Sequence, residues 1–150
     1  MVKIEIVNKS NNALPKYETD GSVGLDVRAF ITDENIGSDI ISIQPGDRKL
    51  IPTGLYTAIP IGYEIQVRPR SGLAFKQGLS ILNSPGTIDS DYRNDIGIIL
   101  HNTGKFPYIV KNGDRIAQLV LSRKPQLEWV EVDVLDETER TGGFGHTGVE

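Results

Sequence analysis

The sequence predicts an all-β sandwich or barrel. Three observations carry that reading. First, 16 glycines and 8 prolines among 150 residues recur as punctuation, at Pro45-Gly46, Pro52-Thr53-Gly54, Pro60-Ile61-Gly62, Pro85-Gly86 and Asn112-Gly113. Second, the runs between them are short and rich in β-branched residues, as strands are. Third, helical signal is scarce. Many short strands with regular turns make a sandwich or barrel.

Taken in order, Lys3–Val7 alternates polar and apolar residues, the period of a half-buried strand. Val23–Ala29 reads as a largely apolar strand that carries the charged Asp26. Glu64–Arg68 alternates again. Ser71–Gln77 is the one good helix candidate, with Ser71 as N-cap and Gly78 as the C-terminal stop. Ile96–Leu100 is nearly all apolar, which predicts a strand buried on both faces. Ile116–Leu121 and Leu127–Val134 complete the set, the latter with a bulge where Trp129 and Val130 break the alternation. Gly46-Asp47-Arg48 and Gly113-Asp114-Arg115 each open a strand, a repeated turn chemistry rather than a solenoid repeat. Residues 1–135 form one β domain. Residues 136–150 are Gly-rich and charged, either a frayed tail or a mobile arm that closes over a ligand.

Composition narrows the function. A net charge of -4 and a pI near 5.2 argue against a general nucleic-acid binder, which carries a basic stripe, yet local arginines leave a nucleotide ligand open. With no cysteine, neither disulfides nor a thiolate zinc site is available. His101 and His146 lack a third ligand at metal spacing. The N-terminus lacks the apolar core of a signal peptide, and no window has the apolar run of a membrane span. The simplest expectation is a soluble, cytoplasmic protein.

Polar chemistry is densest in residues 81–93, Ile-Leu-Asn-Ser-Pro-Gly-Thr-Ile-Asp-Ser-Asp-Tyr-Arg. A Pro-Gly turn between two apolar runs suits a hairpin that grips a small polar ligand, with a carboxylate able to activate water. Asn83 offers both donor and acceptor. Asp89 and Asp91, two apart on a strand-like segment, point the same way, with Tyr92 on the opposite side unless a bulge intervenes. The plainer alternative is a polar turn with Asx caps. Arg68-Pro69-Arg70-Ser71-Gly72 places a helix start and an Arg where phosphate is attracted, or else is an ordinary capped helix. Asp26 needs a partner, either an Arg or a metal-bound phosphate. Arg115 and Gln118 face opposite sides of their strand. Arg115 is therefore taken as Asp26's partner, and Gln118 as a ligand contact. In the C-terminal segment, Arg140 suits phosphate and Phe144 suits stacking on a base.

Five segments in order resemble the five motifs of the trimeric deoxyuridine triphosphatases (dUTPases). They are Gly24-Leu25-Asp26-Val27-Arg28-Ala29, Arg68-Pro69-Arg70-Ser71-Gly72-Leu73-Ala74, Gly86-Thr87-Ile88-Asp89-Ser90-Asp91-Tyr92-Arg93, Gly113-Asp114-Arg115-Ile116-Ala117-Gln118-Leu119 and Gly142-Gly143-Phe144-Gly145-His146-Thr147-Gly148. The resemblance covers nearly the whole chain. It implies a jelly-roll-like β-barrel with one short helix, a homotrimer with active sites shared between subunits, and Mg2+-dependent hydrolysis of dUTP to dUMP and pyrophosphate. By the same resemblance, Asp89 orients and deprotonates the attacking water. Asn83 and the backbone at Gly86, Thr87 and Ile88 read the uracil edge. Tyr92 packs on the deoxyribose and leaves no room for a 2′-hydroxyl. Arg70, Ser71, Gly72 and Gln118 hold phosphates. Asp26 meets Mg2+ through water, and Gly97 meets the ligand through its backbone. Arg140 binds the terminal phosphate, and Phe144, followed by Gly145, stacks over the base. Two departures stand out. Only Thr141 separates Arg140 from Gly-Gly-Phe-Gly, where the family has a Gly and one further residue, and Asn94-Asp95 stands where the family often has Gly. A dCTP deaminase of the same fold and a catalytically idle trimeric binding module are the alternatives.

Overall fold

The computed structural model describes residues 1–139. The chain runs through β1 (Glu5–Asn8), β2 (Leu25–Arg28), α1 (Asp33–Ile36), β3 (Ile40–Ile43), β4 (Arg48–Ile51), β5 (Leu55–Ala58), β6 (Tyr63–Arg68), α2 (Ser71–Gln77), β7 (Leu79–Ile81), β8 (Gly86–Ile88), β9 (Ile98–Asn102), β10 (Tyr108–Lys111) and β11 (Arg115–Arg123). The all-β expectation is met, in a jelly-roll-like arrangement of short strands. They form a four-stranded sheet β2-β11-β6-β8, a three-stranded sheet β4-β9-β7, and the pairs β1-β5 and β10-β3. Every pairing is antiparallel.

The core is built from β-branched side chains, including Val27, Ile43, Ile51, Ile98 and Val110, all with no exposed surface. Such residues fit the pleated, half-buried surface of a strand. The repeated turn before β4 and β11 has one geometry. Gly46 and Gly113 both take φ 82, and each turn closes with a backbone bond, Asp47 N–H to Gln44 C=O at 3.0 Å and Asp114 N–H to Lys111 C=O at 3.2 Å. A left-handed residue at the third turn position is where Gly fits without steric cost.

Five expectations need correction. A second short helix, α1, forms on a capping box between Thr32 and Asn35 and ends at Gly37. The N-cap of α2 is Arg70, not Ser71, because Arg70 remains extended (φ -87, ψ 125) and Ser71 is already helical. The strand predicted over Ile96–Leu100 starts at Ile98, and it is buried on alternate residues rather than on both faces. Ile96 is fully buried just ahead of it. Leu127–Val134 forms no strand, since no strand among the described residues pairs with it, and its large apolar residues lie exposed, Trp129 at 87%. Finally, β7 and β8 do not pair with each other as a hairpin would: β7 pairs with β9 and β8 with β6.

Candidate active site

The four-stranded sheet has an apolar inner face and a polar outer face, as strand alternation dictates. Register puts Gln118 of β11 directly across from Asp26 of β2 on one side and from Arg68 of β6 on the other. Gln66, two residues before Arg68, lies opposite Thr87 of β8. Arg68 donates from Nη2 to Gln66 Oε1 at 2.7 Å, and Gln66 Nε2 donates to Glu64 at 2.7 Å. Asp26, Gln118, Arg68, Gln66 and Thr87 therefore share one face. A recess of about 440 Å³ over it is lined by Gln66, Arg68, Pro69, Gln118, Ser84 and Pro85.

Asp26 is the electrostatic centre of this face. Arg70 grips it as a fork, Nε to Oδ1 at 3.0 Å and Nη2 to Oδ2 at 3.0 Å, and Arg115 Nη1 lies 3.3 Å from Oδ2. Such a bidentate pair fixes geometry as well as charge. Arg115 thus partners Asp26 as its sequence position suggests, and a register shift between Arg115 and Ala117 lets Gln118 sit across from Asp26 as well. Arg70 also donates from Nη1 to the Arg115 carbonyl at 3.0 Å, which ties the start of α2 to the start of β11. The first helical bond of α2 runs from Ala74 N–H to Arg70 C=O at 2.9 Å, so the N–H groups of Ser71, Gly72 and Leu73 precede the helical ladder. Gly72 is exposed, and a Cβ there would meet nothing within 4 Å.

The segment from residue 79 to 97 builds a second cluster. β7 and β8 are edge strands of different sheets, joined by Leu82–Pro85. An edge strand presents unpaired backbone N–H and C=O groups. Asn83 lies exposed in the joining turn, its Nδ2 3.3 Å from where a Cβ on Gly86 would sit. Gly86 and Ile88 are buried and Thr87 is exposed, so Ile88 packs in the core while its backbone stays on the edge.

Asp89, Asp91 and Tyr92 do not lie on a strand, contrary to expectation. β8 ends at Ile88, and the chain turns, with Tyr92 N–H bonded to Asp89 C=O at 3.2 Å. The alternation argument for their directions therefore does not apply. The Asp89 carboxylate is exposed and accepts no hydrogen bond among the described residues. The loop around it is ordered by its neighbours. Arg93 Nη1 donates to the carbonyls of Ser90 (2.7 Å) and Tyr92 (3.0 Å), and the Tyr92 hydroxyl donates to the Asp95 carbonyl at 2.9 Å. Gly97 is half-buried beside the exposed Leu50, where a Cβ would stand 2.7 Å from Leu50 Cδ1, and it lines a different recess from that of Gln118. Arg140, Phe144 and Gly145 lie outside the described residues.

Two contributors escaped sequence reading. Gly24 lets Gln118 lie against the backbone, since a Cβ there would come within 2.8 Å of Gln118 Oε1. Its place two residues before Asp26 was the available signal. Asp95 anchors the loop of Asp89 to a turn some forty residues away, and no local pattern announces such a contact.

No group of three or more His, Cys, Asp or Glu able to hold a metal occurs among the described residues. The donors on the polar face suit a different use. Mg2+ keeps several waters and is commonly held by one or two carboxylates together with substrate phosphates. Asp26, half-buried with Oδ1 accepting from Arg70 and Oδ2 in ion-pair contact with Arg70 and Arg115, fits a contact through water.

Residues 10–148 match the dUTPase family. The deoxyuridine 5'-triphosphate nucleotidohydrolase of Finegoldia magna is 52% identical over 148 residues, covering 98% of this chain and 99% of that protein. The same-named protein of Fusobacterium nucleatum is 50% identical, covering 98% and 97%. Among solved structures, a variant of the Staphylococcus bacteriophage 80alpha dUTPase with dUpNHpp superposes with a TM-score of 0.83 at 21% identity, covering 98% of this chain and 99% of that one. A variant of the phage phi11 dUTPase, described with a structural Mg(II) ion, gives 0.77 at 20% identity, covering 90% and 99%. At that identity the two phage structures bear on the fold alone.

Proposed function

The chain belongs to the dUTPase family, and we infer from that membership and from the site that it hydrolyses dUTP to dUMP and pyrophosphate. The observation that carries the reading is the pairing of two complementary clusters on one scaffold. One is a polar sheet face centred on Asp26 and Gln118 beside the start of α2, suited to a triphosphate. The other is an edge strand and turn followed by a carboxylate that accepts no hydrogen bond among the described residues, suited to a base and an attacking water.

The chemistry follows from those parts. Attack in line at the α-phosphorus needs positioning and neutralisation of charge rather than a covalent intermediate. Asp89 takes the proton of the attacking water, a contribution of about 10²–10⁴-fold for a placed general base. Bound Mg2+ supplies charge neutralisation across the phosphates. Gln118, Ser71, Gly72 and the remaining N–H groups of Arg70 orient the phosphates, while Arg70 also holds Asp26 in place. On the base side, the backbone edge of β8 at Gly86, Thr87 and Ile88, with Asn83, pairs with the donor and acceptor pattern of uracil. Cytosine reverses that pattern and leaves desolvated groups unpaired, a mismatch that discriminates by about 10⁴–10⁵. Tyr92 packs on the deoxyribose. Product dUMP feeds thymidylate synthesis, and removal of dUTP limits uracil in DNA. A free-nucleotide substrate goes with a cytoplasmic location, and no helix among the described residues is long and apolar enough to cross a membrane.

The working form is a homotrimer whose subunits share each site. The exposed apolar run Leu127, Trp129, Val130, Val132, Val134 and Leu135 supports association, because so long an apolar stretch left in water has no favourable place on a lone chain. The core domain is residues 1–135, and residues 136–150 form an arm, with Arg140 on the terminal phosphate and Phe144 and Gly145 over the base. With Mg2+ present, the purified protein is expected to release pyrophosphate from dUTP at least about a hundredfold faster than from dTTP, dCTP or UTP, and to sediment as three chains per particle. Equal rates on all four nucleotides, or ammonia release from dCTP, would overturn the reading.

A further inference from the structure

We propose that Asp95 is a positioning residue for sugar recognition: its carboxylate fastens the loop of residues 89–95 to the β4–β5 turn and so fixes the Tyr92 ring. The inference rests on the reading that Tyr92 packs on the deoxyribose. Asp95 Oδ1 accepts from Gly54 N–H at 2.9 Å, Thr53 N–H at 3.3 Å and the Thr53 hydroxyl at 3.2 Å. The same hydroxyl is shared with the Ile96 carbonyl at 2.8 Å. Thr53 is almost fully buried, and Ile96 N–H bonds to the Leu55 carbonyl at 2.9 Å, so the anchor point belongs to the core. Gly54 takes φ 68, and a Cβ there would stand 2.8 Å from Ser10 N, so its placement leaves little play.

The link to Tyr92 is direct. The Tyr92 hydroxyl donates to the Asp95 backbone carbonyl at 2.9 Å. Tyr92 is partly exposed and is not packed into the core. Its ring is therefore held from two ends, by its own backbone turn to Asp89 and by its hydroxyl on Asp95. A carboxylate accepting from the Thr53 and Gly54 N–H groups makes a stiffer post than the bare loop would, because bonds to an ionised acceptor are stronger than neutral ones. A ring that must exclude one hydroxyl from a sugar needs that stiffness, since a displacement of about 1 Å in a positioned group can cost on the order of 10²-fold. Asp95 is thus the anchor of this loop on the β4–β5 turn.

The test measures kcat/KM on dUTP and UTP for wild type, Asp95→Ala, Asp95→Asn and Tyr92→Phe, together with thermal melting. Asp95→Ala is expected to lower the dUTP:UTP preference by about tenfold or more, with most of the change in KM for dUTP. Asp95→Asn keeps an acceptor oxygen in place and is expected to retain the preference to within about threefold. Tyr92→Phe keeps the ring but loses the bond to Asp95 and falls between. A merely structural role would lower both substrates alike and leave the ratio unchanged. A folded Asp95→Ala with wild-type preference overturns the proposal. Where Asp95→Ala melts below the assay temperature, an unchanged ratio in Tyr92→Phe overturns it instead. A wild type with no preference for dUTP removes the underlying reading of Tyr92, whereas a selective wild type with unaffected variants removes only this role of Asp95.

Discussion

Asp89→Asn is expected to bind dUTP with nearly wild-type affinity and to turn it over about 10²–10⁴-fold more slowly. The substitution keeps the size and an acceptor oxygen but removes the base. Nothing in the fold leans on this carboxylate: it is exposed and accepts no hydrogen bond among the described residues. The melting temperature should therefore stay put, which separates a chemical defect from a structural one. Calorimetric titration with dUTP and a pyrophosphate-release assay on the same preparation check the two halves. Wild-type turnover in the variant would remove Asp89 from the chemistry.

Asp26→Ala is expected to damage both stability and activity. The carboxylate is 14% exposed and receives Arg70 and Arg115 together. Its loss leaves two guanidinium groups facing each other without a counter-charge. Removing the ionised partner of such bonds costs about 1.5–3 kcal/mol. Arg115 is 43% exposed and can turn to water, which softens the loss. A net destabilisation of about 1–3 kcal/mol would lower Tm by roughly 2–12 °C for a chain of this size. Activity should fall about 10–100-fold, the usual cost of losing an outer-sphere partner, with a higher Mg2+ requirement. Melting curves and rates across a Mg2+ series measure these effects. A variant with wild-type Tm and an unshifted Mg2+ profile would show that Asp26 neither holds the arginines nor meets the metal.

Much of this was legible in the sequence, and the reasons differ by element. The strand at Glu64–Arg68 could be read because one side of its sheet faces the core and the other faces water, so burial imprints a period of two. The Gly-Asp-Arg turns could be read because a left-handed backbone nearly demands Gly. The ion pair of Asp26 with Arg115 followed from the cost of an unpaired charge in an apolar strand. Long-range pairing left no local mark. Residues 79–88 look like a hairpin because an apolar run, a Pro-Gly turn and another apolar run are what a hairpin needs, yet β7 and β8 join different sheets. Leu127–Val134 has the composition of a strand, with no partner strand among the described residues. The helix α1 escaped notice because its capping pair is Thr32 with Asn35, not the Glu or Gln that marks the motif. Asp95 escaped for the same reason as the sheet order, since its partners are more than forty residues away.

Hydrolysis of dUTP in water enriched in oxygen-18, with mass analysis of both products after a single turnover, tests the central claim most directly. Attack of an Asp89-activated water at the α-phosphorus predicts one heavy oxygen in dUMP and none in pyrophosphate. Heavy oxygen in pyrophosphate would place the attack at the β-phosphorus and contradict the account.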